Sequence, residues 1–352
     1  MEITDLAHSD PQVTTALDRK VASLLNDPRD VPFVYLMMQC GAVALLGLGL
    51  FALPGAWVWY AAPLYWALWA LGVLDRFILM LHCTSHRPLF TRERKWMNEL
   101  IPWTIGPFFG ETPETYFAHH MGMHHPENNL PDDLSSTMRY RRDSLAHWLM
   151  YYLDFLALGL LRLAGYHRRK GNQKLLARTV VGELAFYALA ATAALVNWRA
   201  SLVVFVIPVV VVRTLMMAGN WAQHAFVDAS DPANPYKNSI TCINSRYNRR
   251  CFNDGYHIFH HVKARAHWTE LPREFADNLE TYGRQDAIVF AGIDFFMVWV
   301  FLMLGQWKTL AKHFVQLPGA PVRDEAAVIA YLKSRVEPIG AATPAGATQQ
   351  PA

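Results

Sequence analysis

Histidine is the residue type that stands out in this chain of 352 residues, which contains 15 of them. Most fall in four clusters, which read HCTSH at 82–86, HHMGMHH at 119–125, NWAQH at 220–224 and HIFHH at 257–261. Imidazole is the commonest protein ligand for metals and suits iron, zinc and copper alike. Clustering at these spacings therefore predicts a metal site.

The spacing within the clusters suits helices that present two ligands on one face. Residues four apart share a helix face, as His82 does with His86 and His120 with His124. Adjacent residues such as His124 and His125 diverge by about 100°, so they can serve different metal ions. These patterns predict ligands that come from several helices.

The number of candidate ligands predicts two metal ions rather than one. Nine histidines exceed what one tetrahedral zinc can use, but two ions would take four or five each and keep positions open for dioxygen or water. No carboxylate has the Glu-x-x-His spacing of soluble di-iron bundles, and imidazole alone does not select the metal. The nine candidates are His82, His86, His120, His124, His125, His224, His257, His260 and His261.

The other histidines are expected to be structural or to lie beside the metal. His8, His147, His167 and His313 stand alone and predict ordinary hydrogen-bonded residues, whereas His119 and His267 suit either role.

Six carboxylates are near enough in sequence to accept the remote N–H of a ligand ring, although solvated loop charge is the simpler interpretation of most. They are Asp75, Glu114, Glu127, Asp132, Asp133 and Asp254.

Apolar composition predicts the elements that must position these residues. The chain is 53% hydrophobic and 17% charged, and the 44 positions from Val31 to Leu74 contain no Asp, Glu, Lys, Arg or His. That stretch is twice the roughly 20 residues of a bilayer-crossing helix, which excludes a fully soluble protein. Backbone groups at membrane depth must bond internally, so an all-α fold is predicted. The net charge of +3 gives no reason to expect a nucleic-acid partner.

Two transmembrane helical hairpins, four spans in all, follow from the longest apolar runs. In each hairpin the second helix carries charge near its end, Asp75 and Arg76 in the first and Arg213 in the second, and histidines follow. In chain order the predicted spans are Val31–Leu53, Ala56–Leu74, Thr179–Val196 and Ala200–Ala218.

Two further apolar stretches contain charges that are costly in lipid. Ser144–Tyr166 includes Asp154 and Arg162, and Asp286–Trp307 includes Asp294. Each is expected to lie in the interface plane, and the second could also re-enter the membrane, but the sequence leaves open whether either stretch spans.

Basic residues predict the orientation. The tight hairpin connections hold Arg199 alone, whereas most other basic residues lie between the hairpins or after the second. The positive-inside tendency therefore places the histidines in the cytoplasm, with a cytoplasmic N-terminal segment at 1–30. We expect one membrane domain with a histidine-rich cap and interfacial helices at 31–337, and a disordered tail at 338–352.

The histidine motifs resemble those of the membrane fatty acid desaturase and hydroxylase superfamily. HCTSH, HMGMHH, NWAQH and HIFHH agree with that family in order, in spacing and in relation to the hairpins, over roughly Asp75 to Pro272. The resemblance implies a non-haem centre of two iron ions under a four-helix membrane domain, with O2 as co-substrate. It makes the nine histidines direct ligands and lets Asn220 act directly or through water. His119 departs from the pattern and is an alternative to His120 as the first ligand of the second motif.

The resemblance also implies a reaction, which is O2-dependent oxidation of an unactivated C–H bond in a fatty acyl chain. We expect a fatty acyl desaturase, and a fatty acid, lipid or alkane hydroxylase on the same scaffold is the alternative. The substrate is expected to come from the membrane. The sequence has no fused cytochrome b5 domain, so a separate ferredoxin, rubredoxin or cytochrome b5 type donor is expected to supply electrons.

Six residues are candidates for substrate contact. The first three are expected to border the tunnel for the acyl chain, and the last three to bind a phosphate-bearing headgroup, coenzyme A or anionic lipid. They are Asp75, Arg76, Trp103, Arg246, Arg249 and Arg250.

A function of another class, non-catalytic metal binding or metal transport, also fits a histidine-rich membrane protein. Transport needs ionisable ligands inside the spans, near the membrane midplane. The four clusters follow the ends of the apolar runs, which argues against transport.

Overall fold

The computed structural model describes residues 2–5 and 13–340, and most of them are helical. Four helices in this part of the chain are long and apolar enough to cross a membrane. We refer to them as the first to fourth long helices, and to residues 87–144 and 224–340 together as the cap. The long helices are Pro28–Ala52, Trp57–His86, Leu145–Arg169 and Gln173–Gln223.

Shorter regular segments make up both the long helices and the cap. The helical segments are Ala16–Ala22, Pro28–Asp30, Val31–Gly49, Leu50–Ala52, Trp57–Trp66, Ala67–Leu74, Asp75–His86, Arg92–Glu99, Leu100–Ile105, Gly106–Phe109, Thr115–His119, His120–His124, His125–Glu127, Leu145–Arg169, Gln173–Ser201, Leu202–Val206, Ile207–Gln223, Pro235–Asn238, Arg246–Arg250, His257–Val262, Leu271–Asp277, Leu279–Arg284, Phe295–Met303, Trp307–His313 and Glu325–Ser334. The strands are β1, Ile240–Ile243, and β2, Ile288–Ala291.

The first and second long helices fold back on each other at a turn that contains Gly55, whose φ of 54° favours glycine. Gly47 leaves room for the Tyr65 ring of the opposite helix. The second helix runs on to His86, twelve residues past the predicted end at Leu74. This extension carries the first histidine cluster on a helix, as the four-residue spacing requires.

The fourth long helix is two arms joined at Asn197. Its backbone there (φ −153°, ψ 98°) is not helical, which matches the predicted link between two apolar runs. Ser201 Oγ donates to the Ala190 carbonyl oxygen at 2.7 Å, and the Phe186 and Phe205 rings lie 6.3 Å apart. The two arms therefore lie side by side.

The main apolar core sits between the first two long helices and the arms of the fourth. Outward faces of these helices remain apolar, with Leu45, Tyr60, Leu71 and Leu195 each more than two-thirds exposed. An apolar exterior of this kind suits a bilayer, since lipid tails replace the protein core as the apolar partner.

The third long helix covers the stretch expected to lie in the interface. Its length and composition also suit a crossing, and 22% of its most apolar window is buried in the protein, against 44% for each of the other three. Its charges are paired, since Arg139 and Arg162 both donate to Asp154. Its placement relative to the membrane stays a prediction.

The stretch 286–307 does not form a spanning helix. It contains β2 and then Phe295–Met303, which is nine residues and thus about 14 Å long, against the roughly 30 Å of a hydrocarbon core. β2 pairs in parallel with β1 from Ile240↔Ile288 to Ile243↔Ala291. The expectation of an all-α fold is therefore corrected, because the β-branched runs ITCI and IVFA are short, buried and suited to a strand pair inside the cap.

An apolar segment that the sequence pattern did not predict packs against the long helices at 100–109. The Phe108 carbonyl oxygen accepts a hydrogen bond from Trp69 Nε1 at 3.0 Å, and the Phe109 ring stacks on Phe77 with centroids 4.5 Å apart. It is broken by glycine and proline and is too short to resemble a span.

The N-terminal segment is attached to the cap. The carboxylate of Asp5 accepts hydrogen bonds from the Asn244 backbone nitrogen, Asn248 Nδ2 and Tyr256 Oη. Residues 1 and 6–12 of the predicted segment 1–30, which include His8, and residues 341–352 of the predicted tail lie outside the described residues.

Candidate metal centre

The four histidine clusters meet at one place where the long helices end against the cap. His82 and His86 come from the end of the second long helix, and His224 directly follows the fourth. The cluster at 119–125 spans the π-helical turn His120–His124, and the last cluster forms the short helix His257–Val262. Distant parts of the chain thus contribute imidazoles to a single centre.

Five of these side chains form a first group. Each offers a nitrogen, and all five nitrogens lie within 4.8 Å of one another. His82 Nε2 lies 2.9 Å from His260 Nε2, and His86 Nε2 lies 2.9 Å from His120 Nε2. His125 Nε2 lies 3.2 Å from His120 Nε2 and 3.0 Å from His260 Nε2.

A second group consists of His124, His224 and His261, whose ligand nitrogens also lie within 4.8 Å of one another. His257 adjoins it, with Nε2 placed 3.3 Å from His224 Nε2 and 3.0 Å from His261 Nε2. The adjacent residues His124 and His125 therefore face different groups, as their divergence along a helix predicts.

Polar partners at the remote ring nitrogens, through hydrogen bonds for His124 and His224 and a close carboxylate contact for His82, orient several of the rings. His124 Nδ1 lies 2.7 Å from Asp133 Oδ2, and His82 Nδ1 lies 3.2 Å from Asp254 Oδ1. His224 Nδ1 donates to the Asn238 carbonyl oxygen at 2.9 Å. A neutral imidazole has one N–H, so donation by Nδ1 leaves Nε2 with only its lone pair.

Two of the six carboxylates proposed as partners of ligand rings, Asp133 and Asp254, do contact ligand histidines. The other four form contacts elsewhere or remain exposed. Asp75 pairs with Arg250, Glu114 with Arg178, Glu127 with Lys170, and Asp132 is largely exposed.

Burial keeps several of these imidazoles neutral. It lowers the pKa of His125 to about 2 and that of His224 to about 4, and in both cases the positive charge of a protonated His124 would add to the effect. Burial, followed by the charges of neighbouring histidines, also holds the pKa values of His120, His257, His260 and His261 well below the ordinary value. Neutral rings offer the lone pairs that a metal requires.

The donor set fits metal ions. Nitrogen lone pairs that face one another at about 3 Å, in a buried place and without protons between them, repel unless a cation lies among them. Five imidazoles in one group and three or four in the other match the numbers needed for two ions with open positions.

Asn220 and His119 lie beside the two groups. Asn220 Nδ2 donates to the Ser135 carbonyl oxygen and to Tyr151 Oη, at 2.9 and 2.7 Å, so its amide oxygen is the atom available to a metal or a water. His120 belongs to the first group, whereas His119 belongs to neither and its buried Nε2 has no hydrogen-bond partner.

Other histidines make structural contacts. His147 Nδ1 accepts from the Arg141 backbone nitrogen, and His167 and His313 each bond a backbone carbonyl oxygen. His267 uses both ring nitrogens, with Asp30 and Thr269 as partners.

A cavity of about 470 Å³ borders the histidine groups. His82, His120, His124 and His257 form part of its wall, and the second, third and fourth long helices supply most of the rest. Apolar residues of these helices predominate, among them Leu74, Ile78, Leu160, Leu163, Val211 and Met216. The cavity can hold an apolar molecule beside the histidine groups.

The candidate substrate residues are dispersed. Asp75 lines the cavity. The Arg250 guanidinium donates hydrogen bonds to the Asp75 carboxylate and to the Leu71 carbonyl oxygen. Arg76 and Trp103 do not line this cavity, since Arg76 binds the Gly72 carbonyl oxygen and Trp103 Nε1 donates to Glu114 Oε1.

Arg246 and Arg249 are exposed and lie away from the cavity wall. Their binding of a headgroup, like that by Arg250, stays a prediction.

Among the polar residues of the cavity wall that the sequence did not identify as functional, four form one cluster: Glu111, Thr112, Glu183 and Arg213. The feature of the sequence that could have identified this cluster is the charged residue inside each apolar run of the second predicted hairpin. Glu183 lies in one run and Arg213 in the other.

Residues 57–293 match the family model described as fatty acid desaturase. No curated protein and no solved structure matches the chain. The match covers more than half of the sequence and includes all four histidine clusters, so the chain belongs to the fatty acid desaturase family. The resemblance drawn from the histidine motifs is confirmed.

Proposed function

We propose that this member of the fatty acid desaturase family is a membrane oxidoreductase that uses dioxygen to desaturate an acyl chain at an unactivated C–H bond. The observation that carries the proposal is the shared cavity, in which two groups of imidazoles face a chamber walled by apolar side chains of three long helices. Such a chamber would receive an acyl chain from the bilayer.

In this proposal the first histidine group holds one iron ion and the second, with His257, holds the other. Asn220 contributes its amide oxygen directly or through a water. When bound, the iron pair supplies the oxidising power, drawn from dioxygen and two electrons, that an unactivated C–H bond requires. His120 is preferred to His119 as a ligand because only His120 lies among the converging nitrogens.

The other residues of the site position the reactants. Asp133 and Asp254 hold ligand rings in one orientation, and such partners commonly change metal affinity by about 10–100-fold. The apolar wall excludes water and holds the chain in one alignment, so that the same carbon faces the centre at each turnover. Desaturation requires a second hydrogen to leave from the neighbouring carbon before oxygen is transferred.

Electrons are proposed to come from a separate ferredoxin, rubredoxin or cytochrome b5 type protein. A small cleft of about 40 Å³ reaches the first histidine group from the side of Arg87 and Trp268 and includes His82, His86 and His260 in its wall. The positive-inside tendency places this side in the cytoplasm.

Lipid profiling of a host that expresses the protein tests the reaction, with the His124→Ala variant as control. A new product that lacks two hydrogens supports desaturation. A product that gains one oxygen instead identifies the hydroxylase alternative, since the same geometry can serve both outcomes. If neither product depends on His124, the proposed reaction is wrong.

The non-catalytic alternative is tested by metal analysis of purified protein after iron-replete expression. The oxidase proposal expects about two irons per chain. Zinc alone, without any oxidised lipid, would instead support metal storage or transport.

A further inference from the structure

A second buried polar cluster borders the same cavity, and the metal centre does not account for it. It comprises Glu111, Thr112, Glu183 and Arg213. Glu183 and Arg213 lie within the apolar fourth long helix, one on each arm. Ionisable residues in such helices are expensive and usually functional.

Near this cluster, the backbone of the loop that contains Glu111 lies very close to the backbone of the fourth long helix. A Cβ atom at Gly182 would overlap the Pro113 carbonyl oxygen, and one at Gly110, whose φ is 72°, would overlap the Pro208 carbonyl oxygen. The loop that contains Glu111 is therefore in backbone contact with both arms of the fourth helix. This contact brings Glu111 and Thr112 beside Glu183 and Arg213.

Hydrogen bonds satisfy only part of the cluster. Thr112 Oγ1 donates to Glu183 Oε1 at 2.6 Å, and Arg213 Nη2 donates to the same oxygen at 3.2 Å. Glu183 Oε2 and Glu111 Oε1 are buried without a hydrogen-bond partner. Because Glu111 is 8% exposed and Glu183 is 2% exposed, bulk water does not solvate them. Such atoms are destabilising unless a ligand or an ordered water meets them.

The charges of the cluster cancel near neutral pH. Burial raises the pKa of Glu111 to about 8, with Arg213 opposing and Glu183 adding to the shift. Most Glu111 side chains are then protonated at pH 7, while the Glu183 carboxylate pairs with Arg213. The cavity wall thus offers one O–H donor and one free carboxylate oxygen, without net charge.

We propose that Glu111 and Glu183 form a subsite for a hydroxyl group carried by the substrate, so that the substrate is a hydroxylated lipid chain rather than a plain acyl chain. A hydroxyl accepts a hydrogen bond from Glu111 and donates one to Glu183 Oε2. This inference rests on the proposed function in one respect, that the substrate occupies the cavity beside the metal centre.

Other polar groups fit the subsite less well. A ketone has no proton for Glu183 Oε2, and a carboxylate would lie against a carboxylate. An ammonium group would bring a charge to a neutral cluster and could not accept the Glu111 proton. Of these substrate groups, the hydroxyl is the one that can accept from Glu111 and donate to Glu183 Oε2 at once, as a water molecule does in its place.

Equilibrium binding tests the subsite without turnover. The probes are hexadecan-1-ol and hexadecane, which differ by one hydroxyl, and each displaces a fluorescent acyl probe from the purified full-length protein in detergent. Two hydrogen bonds, one of them to a charged group, predict that the wild type prefers the alcohol by about tenfold or more. Glu111→Leu should reduce this preference to about twofold or less, whereas Glu111→Gln keeps an N–H donor and should retain most of it.

Glu114→Gln is the matched control, because Glu114 is a buried glutamate of the same loop that binds Arg178 and Trp103 instead of lining the cavity. It should leave the preference unchanged. If the wild type binds alcohol and alkane equally, only water occupies the subsite and the inference is wrong. A full preference in Glu111→Leu would overturn it equally.

An infrared measurement keeps the test independent of whether Glu111→Leu folds. The C=O band of a protonated carboxyl should shift when the alcohol binds to the wild type, and should be missing in Glu111→Gln. A band that does not respond to the alcohol contradicts the proposal.

Iron content and lipid oxidation are measured on the same samples, so that oxidation without an alcohol preference refutes the subsite alone. An alcohol preference without iron or oxidation refutes the proposed function alone.

Discussion

Two buried polar clusters border the same cavity, and they differ in chemistry, since one consists of imidazole rings and the other of two carboxyl groups with a guanidinium. In the histidine centre the ring nitrogens face one another, and the remote nitrogens of His82, His124 and His224 have partners that orient the rings. The remote nitrogens of His86 and His257 have no partner, and the cluster of Glu111 and Glu183 retains two buried oxygens without partners, which do not converge on a set of nitrogens. The first arrangement suits ions held permanently, and the second suits a group that arrives with a ligand.

The difference also shows how each cluster is encoded. The histidines repeat one residue type at helical spacing, so they form motifs. The carboxyl cluster takes single residues from positions 111, 112, 183 and 213, and its geometry depends on a loop that contacts Gly182. Experiments that perturb one cluster at a time can therefore separate metal binding from substrate recognition.

Loss of a ligand histidine should have the largest effect. His124→Ala or His260→Ala is expected to abolish turnover and to lower bound iron, because each removes a nitrogen from a converging group. Product analysis and iron quantification measure this. His313→Ala is the control, since His313 only bonds the Ala291 carbonyl oxygen, and it should change neither quantity. Full activity in His124→Ala would mean that the second motif is misinterpreted.

Substitution of a residue that contacts a candidate ligand, rather than of the ligand itself, should have a smaller effect. Asp133→Asn puts an amide N–H₂ where the carboxylate accepts from the Asn129 and Ser135 backbone nitrogens, so it should disturb His124 and weaken iron binding by about 10–100-fold. Retention of iron against a graded chelator measures the affinity. The neighbouring Asp132→Asn is the control, because the Asp132 side chain is 74% exposed. Equal iron loss in both variants would exclude an orienting role for Asp133.

The carboxyl cluster should respond to pH rather than to iron. The pKa of Glu111 is raised to about 8 in the folded protein, so above about pH 4.5 the folded state holds a proton that the unfolded state releases. Wild-type stability should then fall between about pH 5 and 8, while Glu111→Gln lacks this contribution. The melting temperature of the variant relative to the wild type should rise by roughly 2–5 °C over that range. A difference that is constant with pH would show that Glu111 ionises normally.

The smallest effect is expected at a third cluster, Asp154 with Arg139 and Arg162, on the flank of the third long helix. These side chains are partly exposed, so Asp154→Ala should cost about 1 kcal/mol or less, seen as a small shift in melting temperature. If the helix crosses the bilayer instead, Arg162 would be left unpaired in lipid and the loss would be much larger. The size of the shift thus reports on the placement of this helix.

Much of the metal centre could be predicted because its information is local. Spacing of four residues places His82 and His86 on one helix face, and helix geometry allows the adjacent residues His124 and His125 to face different groups, as they do. The partition itself was not predictable. That His125 joins His260 while His124 joins His261 depends on how two helices of the cap pack.

The parts of the fold that were predicted are those that the length and apolarity of a single stretch determine, such as the two arms joined at Asn197. The parts that were not predicted are those whose conformation depends on packing against distant residues. The strands β1 and β2 are each four residues long and 48 positions apart in register, and the buried segment at 100–109 is too interrupted to resemble a helix. Substrate residues were the least predictable. Arg76 and Trp103 form hydrogen bonds with the nearby residues Gly72 and Glu114 instead of lining the cavity.

By itself the sequence determined the residue types, the helical spacing of the ligands and the apolar lengths of the long helices. These properties are local, because side-chain periodicity and hydrophobicity act over one or two helical turns. Tertiary structure alone decided which imidazoles lie in the same group, which carboxylates contact them, and that Glu111 lies beside Glu183 and Arg213 in the cavity wall. Contacts between distant residues depend on how backbones approach one another, and no short stretch of sequence records that approach.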